Sequence, residues 1–188
     1  MNEKAVKAFV SSNNREYETP QVLFDELHAL HRFTVDACAS ESNTKCDWWY
    51  SQSDSLLDLE LGALKGERVF MNPPYGNPER PCVLERCKKK ICQERGHHIS
   101  RYIPGVYDFV QRAFLESALG SLWVCILPAR TDTRWFHQFC WDRDVCDTRE
   151  GICVDFLDQR IRFELGGEPE NQPLFPSIIV TMKPYHEG

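Results

Sequence analysis

Asn72-Pro73-Pro74-Tyr75 directly follows the short apolar run Arg68-Val69-Phe70-Met71, which reads as a β-strand that the prolines stop. The four residues thus put a side-chain amide, a rigid backbone and an aromatic ring at the carboxyl end of a strand. An exocyclic amine on an aromatic base is a poor nucleophile, because its lone pair is delocalised into the ring. The Asn72 side-chain oxygen and the Pro73 carbonyl could accept the amino hydrogens and localise that lone pair as charge develops, with no strong base required. Pro73 and Pro74 would fix the direction of the carbonyl, and Tyr75 offers a stacking face for a base taken out of a duplex. A rigid turn that merely ends a strand is the alternative use of the same residues.

Other clusters could serve such a centre. Arg130, Asp132, Thr133 and Arg134 follow the apolar run 122–127, so they should emerge at the same sheet edge as Asn72, where arginines could touch a nucleic-acid backbone; an Asp132-capped helix with its arginines in water is the alternative. Between Arg80 and Arg101 seven Lys and Arg stand against two Glu, a net +5 within a chain whose total is -6. Lys88, Lys89 and Lys90 are its centre, and either phosphate contact or a solvated helix face would account for them. Cys82, Cys87, Cys92 and His97 recur at steps of five, with His98 beside the last. These are zinc's usual ligand types, but the paired CxxC spacing is missing and a five-residue step turns around a helix. The expectation is therefore no metal, with the cysteines as small core residues and the histidines at a surface.

The elements that must position these residues follow from spacing. Thr19 suits a helix cap and Pro20 a first helical position, with Leu23, Phe24, Leu27 and Leu30 at helical intervals behind them. Phe33-Thr34-Val35-Asp36 reads as a strand ending on an acid, and Ala37-Cys38-Ala39-Ser40 as the turn after it. A polar stretch then leads to Asp54. Residues 76–105 lack apolar periodicity and read as an insert between core elements. Phe109, Val110, Ala113, Phe114 and Ala118 mark an amphipathic helix that Gly120 can end, and 122–127 is a buried strand closed by Pro128. Trp135, Phe136 and Phe139 suggest a short helix, and 152–157, 160–165 and 177–182 three late strands. The pattern is that of one α/β domain over residues 1–188, with ligands beyond the carboxyl ends of its strands.

Composition sets the limits. The chain has 188 residues, 42% of them hydrophobic, enough for a sizeable core. Its longest apolar run is far too short to span a membrane, and its polar start has no secretory pattern, so a cytoplasmic protein without a membrane association is expected. Nine cysteines cannot pair completely, which favours reduced thiols. The acidic total argues against a nonspecific, charge-driven nucleic-acid binder.

Taken in order, Tyr17-Glu18-Thr19-Pro20, Val35-Asp36-Ala37-Cys38-Ala39-Ser40, Asp54-Ser55-Leu56, Asn72-Pro73-Pro74-Tyr75 and Leu127-Pro128-Ala129-Arg130-Thr131-Asp132-Thr133-Arg134-Trp135-Phe136-His137 resemble the phage-type (Dam-like) DNA adenine-N6 methyltransferases from about Tyr17 to Met182. The resemblance implies a Rossmann-like methyltransferase fold, S-adenosyl-L-methionine as cofactor, and a flipped adenine in double-stranded DNA as substrate, with no obligate protein partner. It makes Asn72, Pro73, Pro74 and Tyr75 the catalytic set, while charge and position make Lys88, Lys89, Lys90, Arg130 and Arg134 candidates for DNA contact. Tyr17, Thr19 and Pro20 resemble the motif that holds the cofactor's methionine end. Asp36, with Ala37, resembles the end of the first cofactor strand, where the acid could bind the cofactor's amino group, and Asp54 the acid that meets its adenosine part or ribose. A turn-forming Asp36 and a helix-capping Asp54 are the alternatives. Two departures stand out: Ala37-Cys38-Ala39-Ser40 replaces the glycine-rich loop of most methyltransferases, and Gln159 stands where the family usually has glycine. Asn-Pro-Pro-Tyr also occurs in enzymes that methylate RNA bases or protein glutamine, and a catalytically idle nucleic-acid-binding module could keep the same fold.

Overall fold

The computed structural model describes residues 18–51, 56–83, 87–165, 168–169 and 175–184. Among them a six-stranded mixed sheet carries helices on its faces, giving α/β character. Helix α1 is Gln21–His31; strands β1, β2 and β3 are Val35–Ala39, Trp48–Ser51 and Arg68–Met71; helices α2 and α3 are Lys90–Arg95 and Val106–Ala118. Strand β4, Leu122–Pro128, is followed by a π-helical turn at Phe136–Cys140, the short pair β5 (Trp141–Asp142) and β6 (Asp147–Thr148), then β7, Ile152–Phe156. A second short pair, β8 (Glu164–Leu165) and β9 (Glu168–Pro169), precedes β10, Ser177–Met182. The sheet order is β2-β1-β3-β4-β10-β7. Strands β1 to β4 pair in parallel, while β10 lies antiparallel to both β4 and β7.

The pleat divides the core, because successive side chains of a strand point to opposite faces. Val35 and Ala37 of β1, Val69 and Met71 of β3, and Trp123, Cys125 and Leu127 of β4 pack with Phe109, Val110 and Ala113 of α3. Phe70, Val124 and Ile126 face the other way, against Phe24 and Leu27 of α1 and against Phe33, Ile161 and Phe163. The same parity puts Asp36, which pairs in register with Phe70, and Asn72 on the α1 face. Helix α3 is tied to the loop before β3 by a buried pair: Arg112 donates to Glu116 at 2.7 Å and to the carbonyls of Leu59 and Glu60, and Glu116 accepts the Gly62 N–H.

Several expected elements take a different form. Strand β1 does not stop at Asp36 but runs on to Ala39, every residue buried, because small side chains suit a strand enclosed on both faces. Strand β2 lies in the stretch read as polar; it is a half-exposed edge strand, where burial imposes little pattern. Leu30 is exposed, whereas Phe24 and Leu27 carry the buried face of α1. The span 160–165 is a strand only at Glu164–Leu165, although Ile161 and Phe163 alternate inward as a strand's residues would. The span expected as a helix at 135–139 is the π-helical turn, with Trp135, Phe136 and Phe139 buried as expected.

Candidate active site

Strands β3 and β4 run in register, Met71 beside Cys125, so the chain leaving each of them reaches the same edge of the sheet. There the structure joins Asn72 to its surroundings by a short chain of hydrogen bonds. The Asn72 amide donates to the Thr19 hydroxyl at 3.2 Å, the Tyr75 hydroxyl donates to the Asn72 side-chain oxygen at 2.7 Å, and it also lies 3.3 Å from the Ile126 carbonyl. Thr19 therefore does not cap α1; it reaches across to β3, and Pro20 precedes the first helical residue. Asn72 and Pro73 are buried and Pro74 and Tyr75 half-buried. The Tyr75 ring meets Phe163 and Phe175 edge-on.

Two concavities meet at this chain. The first, about 260 Å³ with its mouth, is lined by Glu18, Thr19, Asp36, Cys38, Asn43, Lys45, Phe70 and Asn72. It lies on the α1 face, at the carboxyl ends of β1 and β3. Asp36 is buried in its wall and accepts the backbone N–H groups of Lys45 at 3.0 Å and Cys38 at 3.4 Å. Burial raises its carboxyl to about 6, against the opposing pull of those two N–H groups and the Lys45 charge. The Lys45 ammonium itself donates to Gln21. The second, about 1160 Å³ with its mouth, runs from Tyr75 past Asn77, Arg80, Tyr102 and Tyr107 to Pro128, Arg130 and Arg134. Two of its cations lie against rings, Arg130 over Phe175 at 5.8 Å and Arg134 over Tyr107 at 5.2 Å.

Of the residues expected from sequence, Thr19, Asp36 and Asn72 share the first cleft, and Tyr75, Arg130 and Arg134 the second. Ala37 is not brought to either: it points into the core on the α3 face, fully buried, and Cys38 lines the cleft in its stead. Tyr17 and Asp54 lie outside the described residues. Lys88, Lys89 and Lys90 are exposed on the segment that leaves the site at Gly76, Lys89 donating to the Arg80 carbonyl. Lys45, Arg80, Tyr102 and Tyr107 are additions that spacing does not place at the edge. For Arg80 the basic cluster is a usable signal; the other three become visible only once chain segments distant in sequence are packed together.

The polypeptide of residues 76–105 leaves and returns at one point. Glu79 and Ile103 exchange backbone hydrogen bonds, the Val106 N–H donates to the Gly76 carbonyl, and Gly105 lies so close that a Cβ there would come within 2.4 Å of the Pro78 nitrogen and 2.5 Å of the Gly76 oxygen. Only glycine fits that crossing. Asp108 then accepts the Gly105 N–H at 2.8 Å and starts α3. Cys82, Cys87 and Cys92 converge within the segment, and they do so with His98, not with His97.

A family model described as DNA N-6-adenine-methyltransferase (Dam) matches residues 8–188. The DNA N-6-adenine-methyltransferase of Escherichia phage T1 is 25% identical over 123 residues, 65% of this chain but only 39% of that protein. The DNA N-6-adenine-methyltransferase of Haemophilus phage HP1 (strain HP1c1) is 26% identical over 156 residues, 81% of this chain and 68% of that one. No solved structure matches the chain significantly. With Asn-Pro-Pro-Tyr at the carboxyl end of a central strand and a match that runs over nearly its full length, the chain belongs to the family of DNA N-6-adenine-methyltransferases (Dam).

Proposed function

We propose that this chain carries out the reaction its family is named for, moving a methyl group from S-adenosyl-L-methionine in the Asp36 cleft to the N6 amine of an adenine presented from the Tyr75 groove. The observation that carries this reading is the position of Asn72, which lines the first cleft while accepting a hydrogen bond from a residue of the second. A side chain so placed can meet donor and acceptor at once. The parallel order of β1 to β4, with the two clefts at their carboxyl ends, supports a Rossmann-like reading of the sheet.

The residues present suit such a cofactor. Asp36 is a buried carboxylate whose charge is answered by backbone N–H groups rather than by a bonded cation, and a ligand ammonium would relieve its cost. When bound, the cofactor supplies an electrophilic methyl group on a cationic sulfur. Thr19 holds the Asn72 amide by its nitrogen end, which fixes the direction of the oxygen end that would meet the substrate amine. Tyr75 already donates to that oxygen, which has a second lone pair for the adenine N6 hydrogen. As the amine becomes cationic, that hydrogen bond strengthens, and its geometry costs nothing to form because Thr19 and Tyr75 hold it beforehand. The Tyr75 ring, at the mouth of the groove, supplies a stacking surface for the extruded base, and unstacking is recovered there in part. Arg80, Arg130 and Arg134 line the groove as cations for the flanking phosphates of duplex DNA, with 76–105 as a DNA-contacting insert.

The decisive experiment measures methyl transfer and cofactor affinity for Asn72→Ala. Transfer to DNA adenine should fall by on the order of a hundredfold or more, because one transition-state acceptor is gone, while cofactor affinity stays near that of the wild type. Wild-type turnover in the variant would overturn the catalytic role of Asn72. A panel of DNA, RNA and glutamine-containing peptide substrates separates DNA methylation from the other amines that such a site could serve.

A further inference from the structure

The segment 76–105 has an unusual deficit. Among its described residues the only buried hydrophobic side chains are Cys92 and Ile99, too few to hold some thirty residues in a defined shape by apolar burial alone. Its backbone is pinned at the neck, where the Glu79–Ile103 pair is continued by the Cys82 N–H donating to the Ile99 carbonyl, and where Arg95 meets Glu79 at 2.7 Å. Beyond the neck, four side chains that suit a soft divalent cation converge. The ligand atoms of Cys82, Cys87, Cys92 and His98 all lie within 4.8 Å of one another.

We propose that Cys82, Cys87, Cys92 and His98 bind one structural zinc ion, which fixes the shape of the segment beside the active site. The distances agree with a closed tetrahedral site. With Zn–S near 2.3 Å, the edge of the tetrahedron is about 3.8 Å; the sulfurs of Cys82 and Cys92 are 3.4 Å apart and those of Cys87 and Cys92 3.8 Å. Spacing alone leads to the opposite expectation because it assumes a single helix. In the structure only Cys92 lies on a helix, six residues long, while Cys82 sits on the extended arm of the neck and His98 follows the helix end. A five-residue step is therefore no obstacle. Binding releases the three thiol protons to solvent, the imidazole contributes a neutral nitrogen lone pair, and no oxidation occurs. Three thiolates and a divalent cation leave the site with one negative charge, and four protein ligands leave no open position, which makes the ion structural and not catalytic. Lys88 and Lys89 fall between Cys87 and the start of α2, and Lys90 on its first turn, so all three lie inside the loop that the metal closes. The site stands independently of the methyl-transfer reading.

The test uses the full chain purified under reductant without chelator. Native mass spectrometry and elemental analysis should give one zinc per chain, and cobalt(II) substituted for it should show thiolate charge transfer and the strong visible bands of a tetrahedral site. His98→Ala and Cys87→Ser should each retain less than about a tenth of the wild-type metal after dialysis, while His97→Ala keeps it. Because cysteine variants can misfold, the wild-type protein is also treated with chelator, after which protease should cut within 76–105 and added zinc should restore protection. A wild-type chain that takes up neither zinc nor cobalt overturns the proposal. So does a mass two hydrogens lighter that maps to a Cys82–Cys92 disulfide, or metal lost in His97→Ala but kept in His98→Ala.

Discussion

The sheet edge that carries Asn72 and the segment that leaves it at Gly76 hold their candidate site residues by different physics. At the edge, β3 and β4 are enclosed on both faces, and Trp123, Phe70 and Leu127 are among the largest fully buried side chains, so Asn72 inherits its position from the core. Among its described residues the segment buries almost nothing apolar and is held by a backbone ladder, ion pairs such as that of Arg95 with Glu79, and a knot of thiols. The geometry around Asn72 thus rests on a cooperative core, whereas the basic surface beside it rests on local ties. The first should fail only when the molecule unfolds, and the second can fail alone.

The largest expected effect breaks the first region. Trp123→Ala removes a buried indole that donates to Ser121 at 2.8 Å and should cost about 3–5 kcal/mol, measured by denaturant unfolding, with both regions melting in one transition. A segment 76–105 that stays folded after the sheet has melted would contradict the contrast. Its parts are unequally readable from sequence. β4 and α3 announce themselves because a strand buried on both faces is continuously apolar and an amphipathic helix repeats every three to four residues. β1 reads too short because Ala37, Cys38 and Ala39 are small enough to mimic a turn, and β2 escapes notice because an edge strand need not alternate. In the site, Asn72 and Tyr75 are readable from their chemistry, and Asp36 from the family resemblance. The Thr19 bond to Asn72, the choice of His98 over His97, and the arrival of Tyr102 and Tyr107 at the groove depend on long-range packing, which local spacing does not encode.

Next in size is the titration of Asp36. Its carboxyl is raised from 3.8 to about 6 by burial, so the folded chain binds the proton more tightly than the unfolded chain does. Its contribution to stability is therefore greatest at low pH and is lost as the pH climbs from 3.8 to about 6. The linkage is worth about 3 kcal/mol. Without ligand, the stability difference between wild type and Asp36→Asn should shift toward the variant over that window and stay level above it. Cofactor affinity should run the other way in wild type, rising with pH through about 6 as the carboxylate becomes available to an ammonium, and should be flat in the variant. Calorimetric titration checks both, and a pH-independent wild-type affinity would remove Asp36 from the cofactor site.

A substitution at the junction separates the regions further. Gly105→Ala forces a methyl group against the backbone of Gly76, Asn77 and Pro78, so the neck must open; the expected cost is about 1–3 kcal/mol. Protease sensitivity should rise within 76–105, and the affinity for DNA should fall more than that for the cofactor. Equal losses of both would mean that the neck also supports the Asp36 cleft.

The smallest effect on stability belongs to Lys88, Lys89 and Lys90, all exposed. Replacing them together by alanine should leave unfolding nearly unchanged and flatten the salt dependence of DNA binding by about 0.9 in log-log slope for each phosphate that is no longer neutralised. Turnover at saturating DNA should survive if, as proposed, these residues only position DNA. Parallel salt plots for wild type and variant would assign the cluster to solvent alone.

The crossing at Gly76 and Gly105 has a consequence for how such a protein can vary. A segment that departs and returns through one doorway imposes no length on the sheet behind it, and lengthening the chain beyond Glu79 and Ile103 costs little, about 0.6 kcal/mol for each doubling of a flexible loop. The doorway thus works as a socket. The segment beyond it can be shortened, extended or exchanged while the strand that carries Asn72 stays where it is, so the outer surface can change without disturbing the sheet edge.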